Sequence, residues 1–371
     1  MEMKMCAKFK LDAQCNSMDD VSGQMLDGRM TYMAEGSDFH VKKINLLISD
    51  TDYATDYFKL MSKIHHRNCL RTEYITSAFK DGLSFIVFQW SQGNLEKYLT
   101  DEGTNCHEQV LYRGKSYSQP SVQGRELIKG IISGLIYLHK SGLVHGGLTK
   151  ESTRVVEVDG NPVILLNEID VFSQEIKKRK KELEKDWERA ADIIECFNEK
   201  QTNGVIYEMA EFIDNLKNPL IEKNELFFHH HPYTMISSTL TKYIVVYFER
   251  MNSFPKLRST LNSLVTVDSI DNELVSMEYD SWTGKIHKKI SRDLDMKSYR
   301  YNDSASELSR LWRASICHFD KFTNDTKVAL HIRNVHDIHM YFRTEFPRLL
   351  TYMHRASIQE SVTILEGETL E

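Results

Sequence analysis

Two basic side chains near the end of one periodic segment could act on a phosphate group. His318 follows Arg313 by five residues, a little over one turn if the segment is helical. A histidine, with an unperturbed pKa of about 6.5, can accept or donate a proton near neutral pH, and a guanidinium can bind two phosphate oxygens. Taken alone, such a pair is more often structural or surface-exposed. Its meaning therefore depends on the surrounding sequence.

Two other features are weaker candidates for chemistry. The run His229-His230-His231 lacks the i, i+4 spacing by which helical histidines bind one metal ion, and adjacent side chains point in different directions. We expect an exposed loop between domains and predict no metal site. The aromatic and apolar stripe over residues 243–248 predicts a helix packing face rather than a platform for stacking RNA bases.

Bulk composition excludes several classes of protein. The 371 residues are 41% hydrophobic and 27% charged, which is typical of a folded chain with two or three cores. The net charge of −6 and the pI near 6.2 exclude a protein that coats nucleic acid through a broad basic surface, so any RNA contact must be local. Six scattered cysteines without a Cys-x-x-Cys pair predict reduced thiols and a cytoplasmic location. No stretch approaches the ~20 apolar residues of a membrane span.

The apolar pattern changes from strands to helices along the chain. Residues 41–48 and 85–90 predict strands, and residues 124–139 carry apolar side chains on one helical face. Two more strands are predicted at 155–158 and 163–166, and helices dominate the remainder. This order predicts an α+β fold.

Two polar segments interrupt this pattern. Residues 105–119 are predicted to be a polar loop insertion. The mixed-charge run 177–185 predicts a solvated helix, placed before a separate helix over residues 189–197.

Residues 134–166 resemble the catalytic-loop region of protein kinases, in which a long helix leads to a loop and two short strands. The kinase loop reads H-R-D-x-x-x-x-N, with an aspartate that accepts the substrate proton and an asparagine that holds magnesium. Here Gly147 and Thr153 stand at those two positions. The metal-binding Asp-Phe-Gly is replaced by Asn167-Glu168-Ile169. The resemblance therefore implies a degenerate, two-lobed protein-kinase-like fold that transfers no phosphate.

The nucleotide pocket of this kinase-like region is also altered. Lys42 occupies the position of the kinase lysine that pairs with nucleotide phosphates, and Tyr57 stands where its glutamate partner is expected. No G-x-G-x-x-G loop precedes them. Lys42 is more often explained as a surface lysine in such a setting, and binding of ATP or ADP is left open.

Residues 279–319 resemble the kinase-extension nuclease domain. In this segment Trp282, Ile286, Arg310, Arg313 and His318 fall in register with the family pattern. Residues 339–356 resemble the closing helix of the same domain. This domain occurs in the inositol-requiring kinase/endoribonucleases of the unfolded-protein response and in ribonuclease L. The resemblance implies four parts: an amino-terminal segment (1–30), a pseudokinase domain (31–228), an all-α nuclease domain (229–357) and an acidic tail (358–371), the last expected to be disordered past Glu360.

The family's reaction is metal-independent cleavage of RNA by attack of the ribose 2′-hydroxyl on the adjacent phosphate, which requires no cofactor. His318 matches the catalytic histidine of the family, and Arg313 supplies the cation on the developing charge. Two departures weaken the match. Ala314 replaces the family's asparagine, and Arg300 aligns with the active-site tyrosine, although Tyr299 and Tyr301 flank it. A slip of one residue would place either tyrosine in the site.

Two functions follow from the resemblance. The first is an endoribonuclease that acts in stress-response RNA processing or decay, and whose pseudokinase controls formation of a homodimer, or of a heterodimer with related kinase/endoribonucleases. The second is an inactive relative that dimerises with active members and regulates them. His318, Arg313 and Trp282 favour the first function, whereas Arg300 and Ala314 favour the second.

Overall fold

The chain forms two compact units in a computed structural model. The first unit comprises residues 1–104 and 126–194, and the second comprises residues 105–125 and 195–371. The predicted domain boundary between residues 228 and 229 lies inside the second unit and stays a prediction. The structure describes residues 8–11, 25–33, 39–70, 72–75, 83–89, 91, 93–101, 106–167, 169, 176–197, 207–218, 223, 225–271, 282–299, 301–362 and 364–365.

A five-stranded antiparallel sheet opens the first unit, in the order β1-β2-β3-β5-β4. Its strands are β1 (Lys8–Leu11), β2 (Met25–Met33), β3 (Phe39–Asp50), β4 (Thr72–Ile75) and β5 (Leu83–Gln89). Strands β3 and β5 contain the predicted runs 41–48 and 85–90 as far as they are described, and they pair directly. The strand-rich start is therefore confirmed.

Helix α1 (Thr51–Met61) connects β3 to the remaining strands. Ala54, Tyr57 and Met61 are buried, and their spacing of three and four residues puts them on one helical face. Asp52 in the first turn and Lys59 in the last turn complement the helix dipole. Tyr57 therefore points into the interior of the unit.

Short elements and one long helix continue the chain: β6 (Gly93–Asn94), α2 (Leu95–Asp101) and α3 (Val122–Lys140). Helix α3 covers the predicted helix, and its apolar face is buried at Leu127, Ile131 and Leu135. The two strands predicted at 155–158 and 163–166 are present as β9 (Thr153–Val158) and β10 (Asn161–Leu166), and they pair antiparallel. Asp159 and Gly160 both have positive φ at their turn, as a tight two-residue hairpin requires.

Helix α4 (Ile176–Glu195) corrects the predicted division between a charged helix and a separate helix from residue 189. One continuous helix runs through both segments. No proline or glycine interrupts residues 176–195, so nothing in the local sequence ends the helix between them. Trp187, Ala190 and Ile194 are buried along its length.

A β-hairpin replaces the predicted polar loop over residues 105–119. Strands β7 (His107–Tyr112) and β8 (Lys115–Pro120) pair antiparallel through a turn at Arg113 and Gly114, both with positive φ. Polar side chains face each other across the strands, as in the hydrogen bond from Gln119 to Glu108. This hairpin is held by hydrogen bonds and one buried aromatic ring rather than by an apolar face. Its strands therefore show no alternating apolar pattern in the sequence.

The rest of the second unit is helical, as predicted. Its helices are α5 (Tyr207–Lys217), α6 (Glu225–His229), α7 (Ser237–Ser253), α8 (Pro255–Asp271), α9 (Trp282–Lys285), α10 (Lys288–Asp293), α11 (Met296–Tyr299), α12 (Ala305–Cys317), α13 (Asn324–Leu330), α14 (Val335–Glu345) and α15 (Leu349–Gln359). Their shared core contains Trp282, Trp312 and Tyr247. The stripe 243–248 lies on α7 and packs in this core, as predicted for a packing face.

The expected exposed histidine loop is wrong at His231, which is fully buried. Its Nδ1 accepts a hydrogen bond from the backbone of Tyr233 and so caps a short 3-10 helix, Pro232–Thr234. Its Nε2 lies 3.5 Å from Glu211 Oε2. This histidine thus has a structural role as a helix cap, which the run of three histidines does not indicate.

The chain keeps packed residues beyond the last helix. Ile364 and Leu365 are buried in the core of the second unit, so the expected disorder past Glu360 is wrong at these two residues. Among the described residues, no helix is long and apolar enough to cross a membrane. Cys69 is a buried free thiol and Cys317 is an exposed one.

Candidate active site

One carboxylate holds the loop of the first unit that corresponds to the kinase catalytic loop. Asp186 on α4 accepts hydrogen bonds from the backbone N–H groups of His145 at 2.7 Å and Gly146 at 3.0 Å. Arg189 donates to the Gly146 carbonyl at 2.7 Å. Burial lowers the pKa of His145 to about 4, so its imidazole stays neutral. The loop is therefore firmly positioned although it lacks the residues of phosphate transfer.

Neutral side chains stand where the sequence resemblance implies the ion-binding groups of a kinase. The Tyr57 hydroxyl donates to Asn167 Oδ1 at 3.3 Å, and both residues are buried. Thr153 donates to the Thr149 carbonyl at 2.7 Å, which uses its hydroxyl within the loop. The backbone of Lys42 lies in β3, paired with Met30, and its side chain lies outside the described residues.

Helix α12 carries the main candidates of the second unit. Ser304 caps its amino terminus by accepting from the Glu307 backbone, and Leu308, Leu311 and Trp312 are buried on its inner face. This face fixes the rotation of the helix against the core. The helix ends at Cys317, and His318 is its C-cap residue.

Arg313 is held by an aromatic ring. Its guanidinium carbon lies 5.3 Å from the centre of the Phe248 ring on α7, a favourable cation–π distance. The buried Nε of Arg313 has no hydrogen-bond partner among the described residues, and no carboxylate of that part of the chain pairs with it. By contrast, Arg310 on the same helix forms an ion pair with Glu307 at 2.9 Å. Arg313 therefore keeps donors available for another anion.

His318 is half-buried at the point where α12 ends. Its backbone N–H donates to the Ala314 carbonyl at 3.0 Å, and its carbonyl accepts from Lys321. Within the described part of the chain its imidazole makes no hydrogen bond. Arg313 and His318 thus lie within six consecutive residues, and neither side chain has an ionic partner there.

Tyr301 lies beside a second cation of α12. Its ring centre is 5.0 Å from the Arg310 guanidinium carbon and 6.3 Å from the Trp282 ring. Burial raises the pKa of the Tyr301 phenol, and the positive charges of Arg310 and Arg313 oppose that shift. The phenol consequently stays protonated at neutral pH and can donate a hydrogen bond.

Helix α9 anchors the loop that carries Tyr301. Trp282 Nε1 donates to the Ser304 carbonyl at 3.1 Å, and the Asp303 side chain accepts from the Thr283 backbone at 2.8 Å. Two contacts from one short helix thus fix the loop just ahead of α12. Trp282 acts here through its indole N–H as well as through its burial.

Of the remaining predicted positions, the structure describes Tyr299 and Ala314 but not Arg300. Tyr299 is 56% exposed, and its ring lies 5.9 Å from the Arg310 guanidinium carbon. Arg300 lies outside the described residues, so its alignment with the family tyrosine stays a prediction. Ala314 is partly buried against the core and has no side-chain hydrogen-bonding atom.

Sequence reasoning missed two supporting residues. Arg310 lies beside both Tyr299 and Tyr301. The sequence marks Arg310 only as a residue in register with the family pattern and gives it no role. Phe248, placed on a packing face, supports the Arg313 guanidinium. The sequence does contain a signal for Arg310, because a cation three residues before Arg313 lies on the same helical face.

No group of three or more His, Cys, Asp or Glu side chains within the described ranges could hold a metal ion. The Asp293 carboxylate of α10 is occupied by hydrogen bonds from neighbouring side chains. Thr323 and Thr326 donate to Asp293 Oδ2 at 3.0 and 2.6 Å. These and other hydrogen bonds lower the pKa of Asp293 to about 2, although its desolvation acts in the opposite direction.

Comparisons with known proteins found one family and two solved structures that are similar to parts of this chain. Residues 248–364 match the family described as Ribonuclease 2-5A. A crystal structure of the Rad53 kinase domain and SCD2 aligns with 14% identity over 56% of this chain and 87% of that chain, at a TM-score of 0.39. A structure of Rad53 1-466 in complex with AMP-PNP aligns with 13% identity over 62% of this chain and 65% of that chain, at 0.41. No curated protein matches the chain.

The fold defines an α+β protein in which a strand-rich unit and a mainly helical unit are joined in one chain. The match to the Ribonuclease 2-5A family covers residues 248–364, which is less than half of the chain. The carboxyl-terminal part of the second unit is therefore similar to an endoribonuclease-type domain.

Proposed function

We propose that this protein is a metal-independent endoribonuclease whose site lies at the carboxyl end of α12. The observation that carries the proposal is that Arg313 and His318 have no ionic partner among the described residues, in a segment of a Ribonuclease 2-5A domain. An unpaired, partly buried arginine is costly unless it serves another anion. An RNA phosphate is such an anion.

In the proposed reaction the ribose 2′-hydroxyl attacks the adjacent phosphorus. A 2′,3′-cyclic phosphate forms as the bond between phosphorus and the 5′-oxygen breaks. The 2′-hydroxyl loses its proton, and the leaving 5′-oxygen gains one. His318 exchanges a proton with the substrate, and Arg313 stabilises the charge on the phosphate oxygens. Tyr301, whose pKa is raised by burial, donates a hydrogen bond rather than accepting the proton. In this proposal the kinase-like region controls the activity through dimer formation in a cytoplasmic stress response.

The test is cleavage of a fluorescent stem-loop RNA in EDTA across a range of protein concentrations. We expect cleavage that rises steeply with concentration and that falls by roughly 10²-fold or more in His318→Ala, the scale of lost acid–base catalysis. His65→Ala, at an exposed histidine of the first unit, is the matched control and should cut RNA normally. Equal activity of the two variants would contradict the assignment of His318.

A second candidate function is favoured by Ala314. Its side chain packs against the core and offers no polar atom to a substrate, so an inactive relative that binds and regulates active members fits this position. Absence of cleavage by protein that demonstrably dimerises would favour this function. Enhancement or inhibition of an active relative would then identify its effect.

A further inference from the structure

We propose that the hairpin β7–β8 is a strut, that is, a rigid support for the loop of residues 301–304 just ahead of α12. It acts through Arg113, which is a positioning residue for the proposed reaction. This inference rests on the proposed function. The chain leaves the first unit after Thr104, forms the hairpin within the second unit, and returns to the first unit at Glu126. A segment inserted in the kinase-like half of the sequence is therefore part of the packed nuclease-type unit.

The hairpin is closed firmly at its base. Ser121 donates from its backbone to the Cys106 carbonyl at 3.0 Å, and a side chain on Gly124 would collide with that carbonyl. Gln119 Oε1 lies 3.4 Å from Arg343 of α14, whose guanidinium also forms a buried ion pair with Glu208 at 2.9 Å. The base of the hairpin is thus held at α14 by Arg343, whose guanidinium is fixed by its ion pair with Glu208.

Tyr112, beside the turn of the hairpin, inserts into the core. It is 1% exposed, and its hydroxyl donates to the carbonyl of Leu330 at 3.2 Å. Leu330 is the last residue of α13, where a carbonyl has no partner within the helix. The hairpin therefore caps the carboxyl end of α13.

Arg113, at the turn itself, makes the second contact. It forms an ion pair with Glu345 of α14, and its guanidinium carbon lies 5.4 Å from the centre of the Tyr341 ring. The Tyr341 hydroxyl accepts a hydrogen bond from the backbone N–H of His287 at 3.2 Å. His287 is the N-cap residue of α10, where its Nδ1 accepts from Lys289. Arg113 thus supports the group that fixes the start of α10.

The two contacts reach both ends of α10. Its start is fixed through Tyr341 and His287, and its end through Asp293, which accepts from Thr323 and Thr326 of the α13 region. Tyr112 caps that same α13 at its other end. Helix α10 leads within a few residues to Tyr299 and Tyr301, which lie beside Arg310. A displaced hairpin would therefore move the loop of Tyr299 and Tyr301, which lies against the helix that carries Arg313 and His318.

This arrangement predicts an effect on turnover rather than on RNA affinity, because the hairpin contacts the frame of the site and not the proposed phosphate ligands. We expect Arg113→Glu, which places a carboxylate against Glu345, to lower kcat about tenfold, equivalent to about 1.4 kcal/mol. KM should change by less than about twofold, as for an interaction that acts only in the transition state.

The closing experiment combines kinetics with hydrogen exchange on the full chain. Arg113→Glu, Glu345→Arg and the double charge swap are compared in RNA cleavage and in amide exchange over residues 287–299. Each single variant should lose turnover and protection of these amides, and the swap should restore at least half of both losses. Lys115→Glu, an exposed charge reversal on the same hairpin, should match the wild type.

Failure of the strut and failure of the proposed function give different results. If the wild type cuts no RNA, amide exchange over residues 287–299 alone tests the strut. Amide protection that is lost in the single variants and restored in the charge swap supports the strut. Unchanged amide protection in the single variants overturns it. If cleavage occurs but the swap restores neither rate nor protection, the strut is overturned while the nuclease proposal stands.

Discussion

The Tyr57 hydroxyl donates a hydrogen bond to Asn167 Oδ1 across 3.3 Å, in the interior of the first unit. These residues stand where the kinase resemblance implies a glutamate and a metal-binding aspartate. The two replacements therefore form a neutral buried pair that links α1 to the end of β10. Tyr57 also contacts the Phe88 ring edge-on, with ring centres 5.9 Å apart.

We predict that Tyr57→Phe lowers the free energy of unfolding by about 1 kcal/mol, the net value of one buried hydrogen bond whose acceptor is left unpaired. The ring contact with Phe88 is kept, so only the hydroxyl is tested. Urea unfolding measures the change. Tyr299→Phe, at an exposed tyrosine, is the control and should change the same quantity by less than about 0.5 kcal/mol. Equal effects of the two variants would contradict the role of the Tyr57 hydroxyl.

We predict that the chain transfers no phosphate from Mg-ATP to itself or to a protein substrate. Gly147 provides no proton acceptor, and the Thr153 hydroxyl is committed to the Thr149 carbonyl. Incorporation of labelled γ-phosphate measures the activity, with an active kinase as positive control. Asn167→Asp should remain inactive because it restores only one of the three missing groups. Measurable transfer by the wild type would refute this reading of the loop.

We predict that Ala314→Asn raises the rate of RNA cleavage. One additional hydrogen bond near the phosphate contributes about 0.5–1.5 kcal/mol, which corresponds to roughly 2- to 12-fold in kcat/KM. Single-turnover cleavage at fixed protein concentration measures the gain. Ala329→Asn, at an exposed position of α13, is the matched control and should leave the rate unchanged. A decrease in Ala314→Asn alone would indicate that Ala314 is required for packing instead.

We predict that acid destabilises the second unit through His339. Its Nδ1 accepts from Trp312 Nε1 at 3.3 Å, so the neutral ring donates from Nε2 to Thr241 at 2.8 Å. Burial lowers the pKa of His339 to about 3. Between this value and the unfolded pKa of about 6.5 the unfolded chain binds the additional proton, so stability falls as pH falls, by up to about 1.4 kcal/mol per pH unit.

Urea unfolding between roughly pH 5 and 6 tests this dependence. His339→Gln keeps a donor and an acceptor but does not titrate, so its stability should fall less steeply with acid than that of the wild type. His354→Gln should remove a second increment, because burial also lowers the pKa of His354 well below its usual value. Parallel slopes for wild type and both variants would show that neither histidine controls the acid response.

Much of this architecture was readable from local patterns. The 3.6-residue periodicity of α3 and α12 and the strands β3, β5, β9 and β10 follow from apolar spacing, because burial of one face dictates that spacing. The losses at Gly147 and Thr153 are visible as residue types alone. The spacing of Arg313 and His318 is also visible in the sequence, whereas the structure shows that they lie near the end of one helix.

The contacts between distant segments were decided by tertiary structure. A polar run gave no indication that Tyr112 would be buried beside Leu330, 218 residues later. The Tyr57–Asn167 pair joins residues 110 positions apart, and Arg310 meets Tyr301 only because α9 fixes the intervening loop. Periodicity reports which face of an element is buried, whereas the partner on that face is selected by the packing of the whole chain. The sequence therefore determined most of the elements and the main candidate residues, whereas the fold decided which of them meet.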